Sequence, residues 1–396
     1  MVDKDAVVAR AARSIRVLSA LSWPASVEAR FLERYRGGQP ELPVPPPVPA
    51  PPSDEALRDV LGRVDWADPL EAFVGRTAES AVQAIAMLRA AGTPRFTAHS
   101  TDLYGGPGTQ PVPDGPTVLA EAEHLLRTAD ALGMPCPEKT LSTAQARDRF
   151  QADVDAFFVD LPVVVDPELV SLAAAGSRRI RIRGGVKWAP SQIAQLLQHE
   201  ALVHSATKRN GLAQPLRTLG LSTPRTTAVQ EGLATLGELI TDSLDLNRLR
   251  RVALRVRMVD RALQGADFIE VFEGLLEEGQ PEVEAFRSAM RVFRGGDVRG
   301  GVVFTKDVVY LSGLRQVHGF LMAALKAHRA ELPAVLFAGR MTCGDAVKLA
   351  PLIEDGTLLP AQILPPWVQR TSQLAAYLAW AAFGQGIGPV ELESLD

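Results

Sequence analysis

The run Gln198-His199-Glu200-Ala201-Leu202-Val203-His204 constrains this chain more than any other stretch, because it sets two imidazoles at a spacing that a regular helix does not serve. An α-helix turns about 100° per residue, so the histidines of an H-E-x-x-H motif, four apart, point about 40° from each other and share one metal. Here they are five apart, which on a regular helix leaves the rings about 140° from each other. One metal is shared only if the backbone widens into a π-type turn closed by i→i+5 hydrogen bonds, or if the helix ends between the two residues. The alternative is an ordinary helix with one ring buried and the other exposed. The metal reading therefore carries its own structural demand, a distorted helix at His199–His204.

A downstream segment, Thr226-Thr227-Ala228-Val229-Gln230-Glu231-Gly232-Leu233-Ala234, adds what the first helix lacks, a carboxylate on a second helix. Gly232 beside it removes a side chain where two helices would approach closely, or is a simple helix imperfection. Thr235 and Glu238, four and seven residues after Glu231, share its helix face and could steady a ligand from behind.

The chain has 396 residues, 46% of them apolar, enough for one large domain or two moderate ones. We expect an N-terminal helical segment and Pro-rich stretch, residues 1–52, packed on a main domain, residues 53–396. No apolar run reaches the roughly 20 residues of a membrane span, and Met1-Val2-Asp3-Lys4-Asp5 is no basic leader. Neither membrane nor nucleic acid is an expected partner. The net charge is −4, and the basic runs Arg178–Arg183 and Arg248–Arg257 read as solvated faces. Cys136 and Cys343 are too few for a disulfide scaffold and lack metal-ligand spacing, so a reducing cytoplasm is expected.

Apolar periodicity predicts helices within residues 1–38, from Asp54 to Ala91 and from Pro116 to Leu132. Pro40 to Pro52 favours polyproline II and reads as a spacer laid along the surface. Phe96 to Gly108 reads as a loop or short strand turning at Tyr104-Gly105-Gly106-Pro107. Phe157–Val165 reads as a strand, and Arg179–Arg183 as an edge strand ended by Gly184-Gly185. From Pro190 the chain is almost wholly helical: a first metal helix ending at Asn210-Gly211, then Arg225–Thr241, Asp245–Leu263, Phe268–Glu277, Pro281–Phe293 and Asp307–Ala330.

The two motifs, in this order, resemble the flavohemoglobin expression-modulating QEGLA motif proteins, bacterial relatives of the microtubule-associated tyrosine carboxypeptidase, a zinc enzyme with an HExxxH helix. Further matching stretches are Leu103-Tyr104-Gly105, Ile180-Arg181-Ile182-Arg183, Asn210-Gly211, Gln214-Pro215-Leu216, Phe304-Thr305-Lys306-Asp307 with Tyr310-Leu311, and Leu364-Pro365-Pro366-Trp367. They cover most of the chain and thin out before about residue 95. The resemblance implies a predominantly helical α+β fold, zincin-like, with a small β-sheet preceding the metal-binding helix. It implies one zinc ion per chain on His199, His204 and Glu231, with Glu200 as catalytic base. General chemistry agrees: two imidazoles and a carboxylate are an established catalytic zinc set that leaves a position open, and the adjacent carboxylate can shuttle a proton.

A carboxypeptidase must also hold a terminal carboxylate and stabilise an oxyanion. Tyr310, one helical turn after Lys306, is the candidate oxyanion donor, or else an ordinary half-buried tyrosine. Lys306, Arg225 and Lys187 are candidate carboxylate partners, Asn210 a candidate for the peptide backbone, and His318 a candidate cleft residue. The expected activity is removal of a C-terminal residue, tyrosine among the options, from a peptide or protein. Two other readings stand beside it: a regulatory protein with a non-catalytic metal site, and an aminopeptidase or endopeptidase on the same scaffold. An intact Glu200 speaks against the first, since a structural zinc site has no use for a base and is closed by four protein ligands.

Overall fold

The computed structural model describes residues 2–133, 136–169 and 171–384. Its helices before the sheet are α1 Val2–Ser14, α2 Val17–Ala20, α3 Ala25–Arg36, α4 Glu55–Leu61, α5 Pro69–Arg89, α6 Pro94–Tyr104, α7 Val118–Leu132 and α8 Thr143–Asp155. A three-stranded sheet follows, built from β1 Val163–Asp166, β2 Ala173–Ala174 and β3 Ile180–Arg183. A continuous helical rod comes next: α9 Pro190–Leu196, a π-helical segment Leu197–Ser205, and α10 Ala206–Ala213. After it run α11 Pro224–Ile240, α12 Leu246–Leu263, α13 Phe268–Glu277, α14 Glu282–Phe293, a 3-10 turn Thr305–Val308, and α15 Val309–Lys326. Four further helices complete the described chain: α16 Leu332–Val335, α17 Cys343–Glu354, α18 Pro366–Gln369 and α19 Thr371–Gly384. The architecture is α+β and predominantly helical.

Three apolar cores divide the load. One, under α7, α12, α13 and α14, holds the aromatic cluster Phe31, Phe268, Phe272 and Phe286. The second joins α5, α11, α15 and the C-terminal helices through Phe73, Leu233, Leu314 and Phe337. A smaller third core sits beneath the sheet, where Phe150, Ile180, Ile182 and Trp188 meet the first metal helix. The N-terminal residues belong to the first two: Val8 is buried in the second, and Leu21, Trp23 and Phe31 in the first. The Pro-rich stretch lies against the first core through Leu42 and Val48.

Three elements depart from the sequence reading. Phe96 to Gly108 is not a loop or strand, because α6 runs to Tyr104 with Pro94 in its first turn. Phe96, Ser100 and Tyr104, four apart, form its buried face, and the Gly-Gly-Pro signal marks only its end. The strand expected over Phe157–Val165 is confined to Val163–Asp166, and Val159 is 81% exposed. Arg179–Arg183 forms the central strand, not an edge, pairing parallel with β1 and antiparallel with β2. Alternation reports which face a residue takes, not how many neighbours its backbone pairs with. Ile180 and Ile182 are buried, while Arg181 and Arg183 pair with Asp166 and Glu284.

One helical stretch, Thr305–Lys326, is long and apolar enough by composition to cross a membrane. Its apolar surface here meets α11. Gly313 and Gly232 make that contact backbone to backbone: a Cβ on Gly232 would stand 2.2 Å from the Gly313 carbonyl oxygen, and one on Gly313 would stand 1.9 Å from that of Ala228. The close helix approach read from Gly232 is present, and Gly313 is its partner.

Candidate metal centre

The distortion demanded by the histidine spacing is present. Leu197–Ser205 is π-helical, and the Ala206 amide donates to the Ala201 carbonyl five residues back. Residues five apart therefore lie one turn apart, and the two rings, nearly perpendicular, have centroids 4.8 Å from each other. Widening a helix loosens some of its carbonyls, and side chains attend to them here. The Thr207 hydroxyl lies 2.7 Å from the Val203 carbonyl and 2.8 Å from Gln230 Oε1, and Arg340 Nη2 donates to the His204 carbonyl at 2.9 Å.

From α11, Glu231 reaches between the rings. Its Oε2 lies 3.3 Å from His199 Nε2 and 3.6 Å from His204 Nε2, yet this buried oxygen has no hydrogen-bond partner. A buried carboxylate oxygen left unpaired is costly, and one facing two imidazole nitrogens fits a shared cation. The donor set, two ring nitrogens and one carboxylate oxygen within 4.8 Å of one another, suits zinc.

The far side of His199 is as closely specified. Its Nδ1 is 2.6 Å from Glu238 Oε1, which leaves Nε2 for a metal. Glu238, fully buried, also accepts from Gln195 at 3.1 Å and from Arg248 at 3.2 and 3.3 Å. Burial opposes its charge, but Arg248 and His199 hold its pKa down to about 2. Burial likewise works against a charged His199, yet Glu231 and Glu238 outweigh it and raise the ring to about 10. For Glu231, too, burial raises the pKa, but the two histidines and Lys306 hold it well below the usual carboxylate range. These carboxylates call for positive charge at this point, which a proton or a metal cation can supply. Thr235, by contrast, turns its hydroxyl back to the Glu231 carbonyl and does not reach a ligand.

Lys306, buried in the 3-10 turn before α15, sets its Nζ 3.7 Å from Glu231 Oε1 and 5.5 Å from the centroid of the Tyr310 ring. Tyr310 is also buried, with Arg255 stacked 5.1 Å over its ring and Arg291 Nη2 3.4 Å from its hydroxyl. Burial and Glu231 push the phenol up, but Lys306, Arg291 and Arg255 together bring it below its ordinary value. Arg291 in turn forms a two-bond pair with Asp307, at 2.6 Å each. Glu200 is half-buried on the π segment, and its carboxylate makes no ion pair or hydrogen bond among the described residues.

Other residues singled out from sequence lie elsewhere. Arg225 is bound to Asp345 and stacked on Phe73, with no member of the metal cluster among its charged neighbours. Asn210 is used up inside the protein, its amide donating to the Phe337 and Ile363 carbonyls and accepting from the Gln362 and Ile363 amides. Lys187 is exposed just beyond the sheet. His318 is half-buried two turns after Tyr310, where burial and Arg315 lower its pKa.

Sequence reading missed Arg340 and Arg248. Arg340 is buried, donates to Ser222 and to His204, and feels both Glu231 and Glu200; burial brings its pKa down to about 10 despite those two acids. Nothing in Gly339-Arg340-Met341 marks it. Arg248 stood within view, in the run Arg248–Arg257 expected to be a solvated face. Instead Arg248 closes on Glu238 and Arg255 on Tyr310, so that run contributes to the site.

Two imidazoles from a widened helix and a carboxylate from a second helix, flanked by a further carboxylate and by buried cations, define a candidate metal centre in a helical α+β domain. The chain belongs to the microtubule-associated tyrosine carboxypeptidase family, whose sequence profile matches residues 29–386. Membership makes it a carboxypeptidase-like protein acting on a peptide or protein. A comparison with curated proteins found no match.

Proposed function

We propose that this chain is a zinc-dependent carboxypeptidase of zincin-like construction. The observation that carries the reading is the buried Glu231 Oε2, without a hydrogen-bond partner, facing His199 Nε2 and His204 Nε2, with Glu200 adjacent to the first ligand. His199, His204 and Glu231 would hold one zinc ion. When bound, zinc supplies Lewis acidity, which makes water nucleophilic near neutral pH and polarises the scissile carbonyl.

Glu200, whose carboxylate makes no ion pair among the described residues, takes the proton from the attacking water and passes it to the leaving amine. Tyr310 donates a hydrogen bond to the oxyanion of the tetrahedral intermediate, an interaction made mainly in the transition state. Its cationic surroundings favour that donation, because they make the phenol a stronger acid. Lys306, beside Glu231, is the cation that holds the substrate's terminal carboxylate. The family takes its name from an enzyme that removes tyrosine, so a C-terminal tyrosine is the first residue to test.

The test uses zinc-loaded protein and peptides that differ only in a free or amidated C-terminus. The free acids should be cut about 10- to 150-fold better, the value of one charged hydrogen bond of about 1.5–3 kcal/mol. Equal cleavage of acid and amide would move the protein to the endopeptidases or aminopeptidases. No cleavage of any peptide would overturn the enzyme reading.

A further inference from the structure

A cleft of about 160 Å³ opens beside the metal centre, between the N-terminal helices and the start of α11. Three of its polar lining residues, Lys306, Thr227 and Ser222, are tied to the metal ligands, and Tyr104 and Thr223 line it as well. Lys306 lies 3.7 Å from Glu231, Thr227 is one turn before Glu231 on α11, and Ser222 is hydrogen-bonded to Arg340, which binds the His204 carbonyl. The apolar lining lies away from those ties. Ala81 and Ala84 of α5 form one part of it, and Ala12, Ile15, Val17 and Leu18, at the junction of α1 and α2, form another. No acidic side chain lines the cleft.

We infer that this cleft receives the side chain of the substrate's C-terminal residue and that the N-terminal arm, residues 12–18, is its specificity wall. The inference rests on the carboxypeptidase reading and adds to it the residues that select the terminal side chain. With the terminal carboxylate at Lys306, the side chain of the same residue has this apolar chamber within reach. A cavity of about 150 Å³ holds one benzene ring, so the chamber suits a single ring or a branched aliphatic side chain. Indole is too large for it. A charged side chain would lose its hydration against Ile15, Val17 and Leu18 without gaining a partner there.

The arm is placed firmly enough for this role. Buried Asp5 accepts hydrogen bonds from the Arg217 amide at 2.8 Å, the Thr218 amide at 3.0 Å and the Thr218 hydroxyl at 2.6 Å, on the connection between the two metal-bearing helices. Lys4 adds an ion pair to Glu71 at 2.6 Å. The family match begins at residue 29, so these wall residues lie outside it.

The experiment has two arms. In the first, kcat/KM is measured on peptides ending in phenylalanine, tryptophan, alanine or aspartate, for the parent protein, Leu18→Ala and the double variant Ile15→Ala/Leu18→Ala. Leu18 is 44% exposed at the mouth, so its truncation should spare the fold, and zinc content and Tm check that it does. The parent should prefer phenylalanine. Opening the wall should shift the phenylalanine-to-tryptophan ratio by roughly tenfold or more, the scale of a methylene-sized change in an apolar pocket. In the second arm, zinc-loaded Glu200→Gln protein is irradiated with a peptide ending in 4-azidophenylalanine, and the label should fall within residues 12–18. Turnover with an unchanged ratio and label elsewhere would overturn the specificity wall and leave the carboxypeptidase reading standing. Absence of any turnover by the parent protein would overturn that reading, and the inference with it.

Discussion

The metal-bearing helices and the N-terminal arm meet at one cleft but are held in different ways. Around the metal centre the backbone itself is in contact, at Gly232 and Gly313, and the polar groups behind His199 form a closed set through Glu238, Arg248 and Gln195. The arm is tied down chiefly by Asp5, by the Lys4–Glu71 pair, and by apolar contacts such as those of Val8 and Leu21. Over-determination suits a site whose groups must not move by even an ångström, since misplacement of that size costs about a hundredfold in rate. A wall that only selects a side chain tolerates replacement. The difference teaches that changes near the metal should alter chemistry, whereas changes in the arm should alter preference and stability.

The largest effect should come from Glu200→Gln. This near-isosteric change removes the proposed base without touching a ligand, so hydrolysis should fall about 10²- to 10⁴-fold while zinc content and Tm stay those of the parent. Parent-like turnover would remove Glu200 from the mechanism.

Next is Glu238→Gln. The amide still fits behind His199 but no longer matches the imidazole and Arg248 with charge, so zinc affinity should drop about 10- to 100-fold by competition with a chelator. Unaltered affinity would mean that His199 is oriented by its own helix alone, and the contrast between the two regions would lose its strongest support.

Asp5→Ala should have the smallest effect on chemistry. It strands the Arg217 and Thr218 amides and should lower stability by about 2 kcal/mol, read by denaturant titration, with zinc content unchanged. Loss of zinc in this variant would show that the arm helps hold the two metal-bearing helices in register.

The candidate site was legible in the sequence to an uneven depth. If His199 and His204 share a metal, their five-residue spacing called for a π-type widening or a helix end between them, and the widening is what is present. Glu238 could be read from its seven-residue offset from Glu231 on one helix face. The partners of Arg225 and Asn210 were not legible, since a cation or amide carries no mark of the partner it will find; Asp345 is 120 positions from Arg225, and Ile363 is 153 from Asn210. Arg340 went unseen for the same reason, being 136 positions from the His204 carbonyl that it binds.

Periodicity and local spacing thus determined, by themselves, the helical character of the chain and the condition that His199 and His204 share a metal only on a distorted or interrupted helix. These depend on residues within a few turns, where the geometry of the backbone dictates what can meet. The rest was decided only by tertiary structure: that β3 lies at the centre of its sheet, that Arg248 turns inward, that Arg340 reaches the His204 carbonyl, and that the arm walls the cleft. Each of these depends on which surfaces pack together, and packing joins residues whose separation in sequence carries no information about their separation in space.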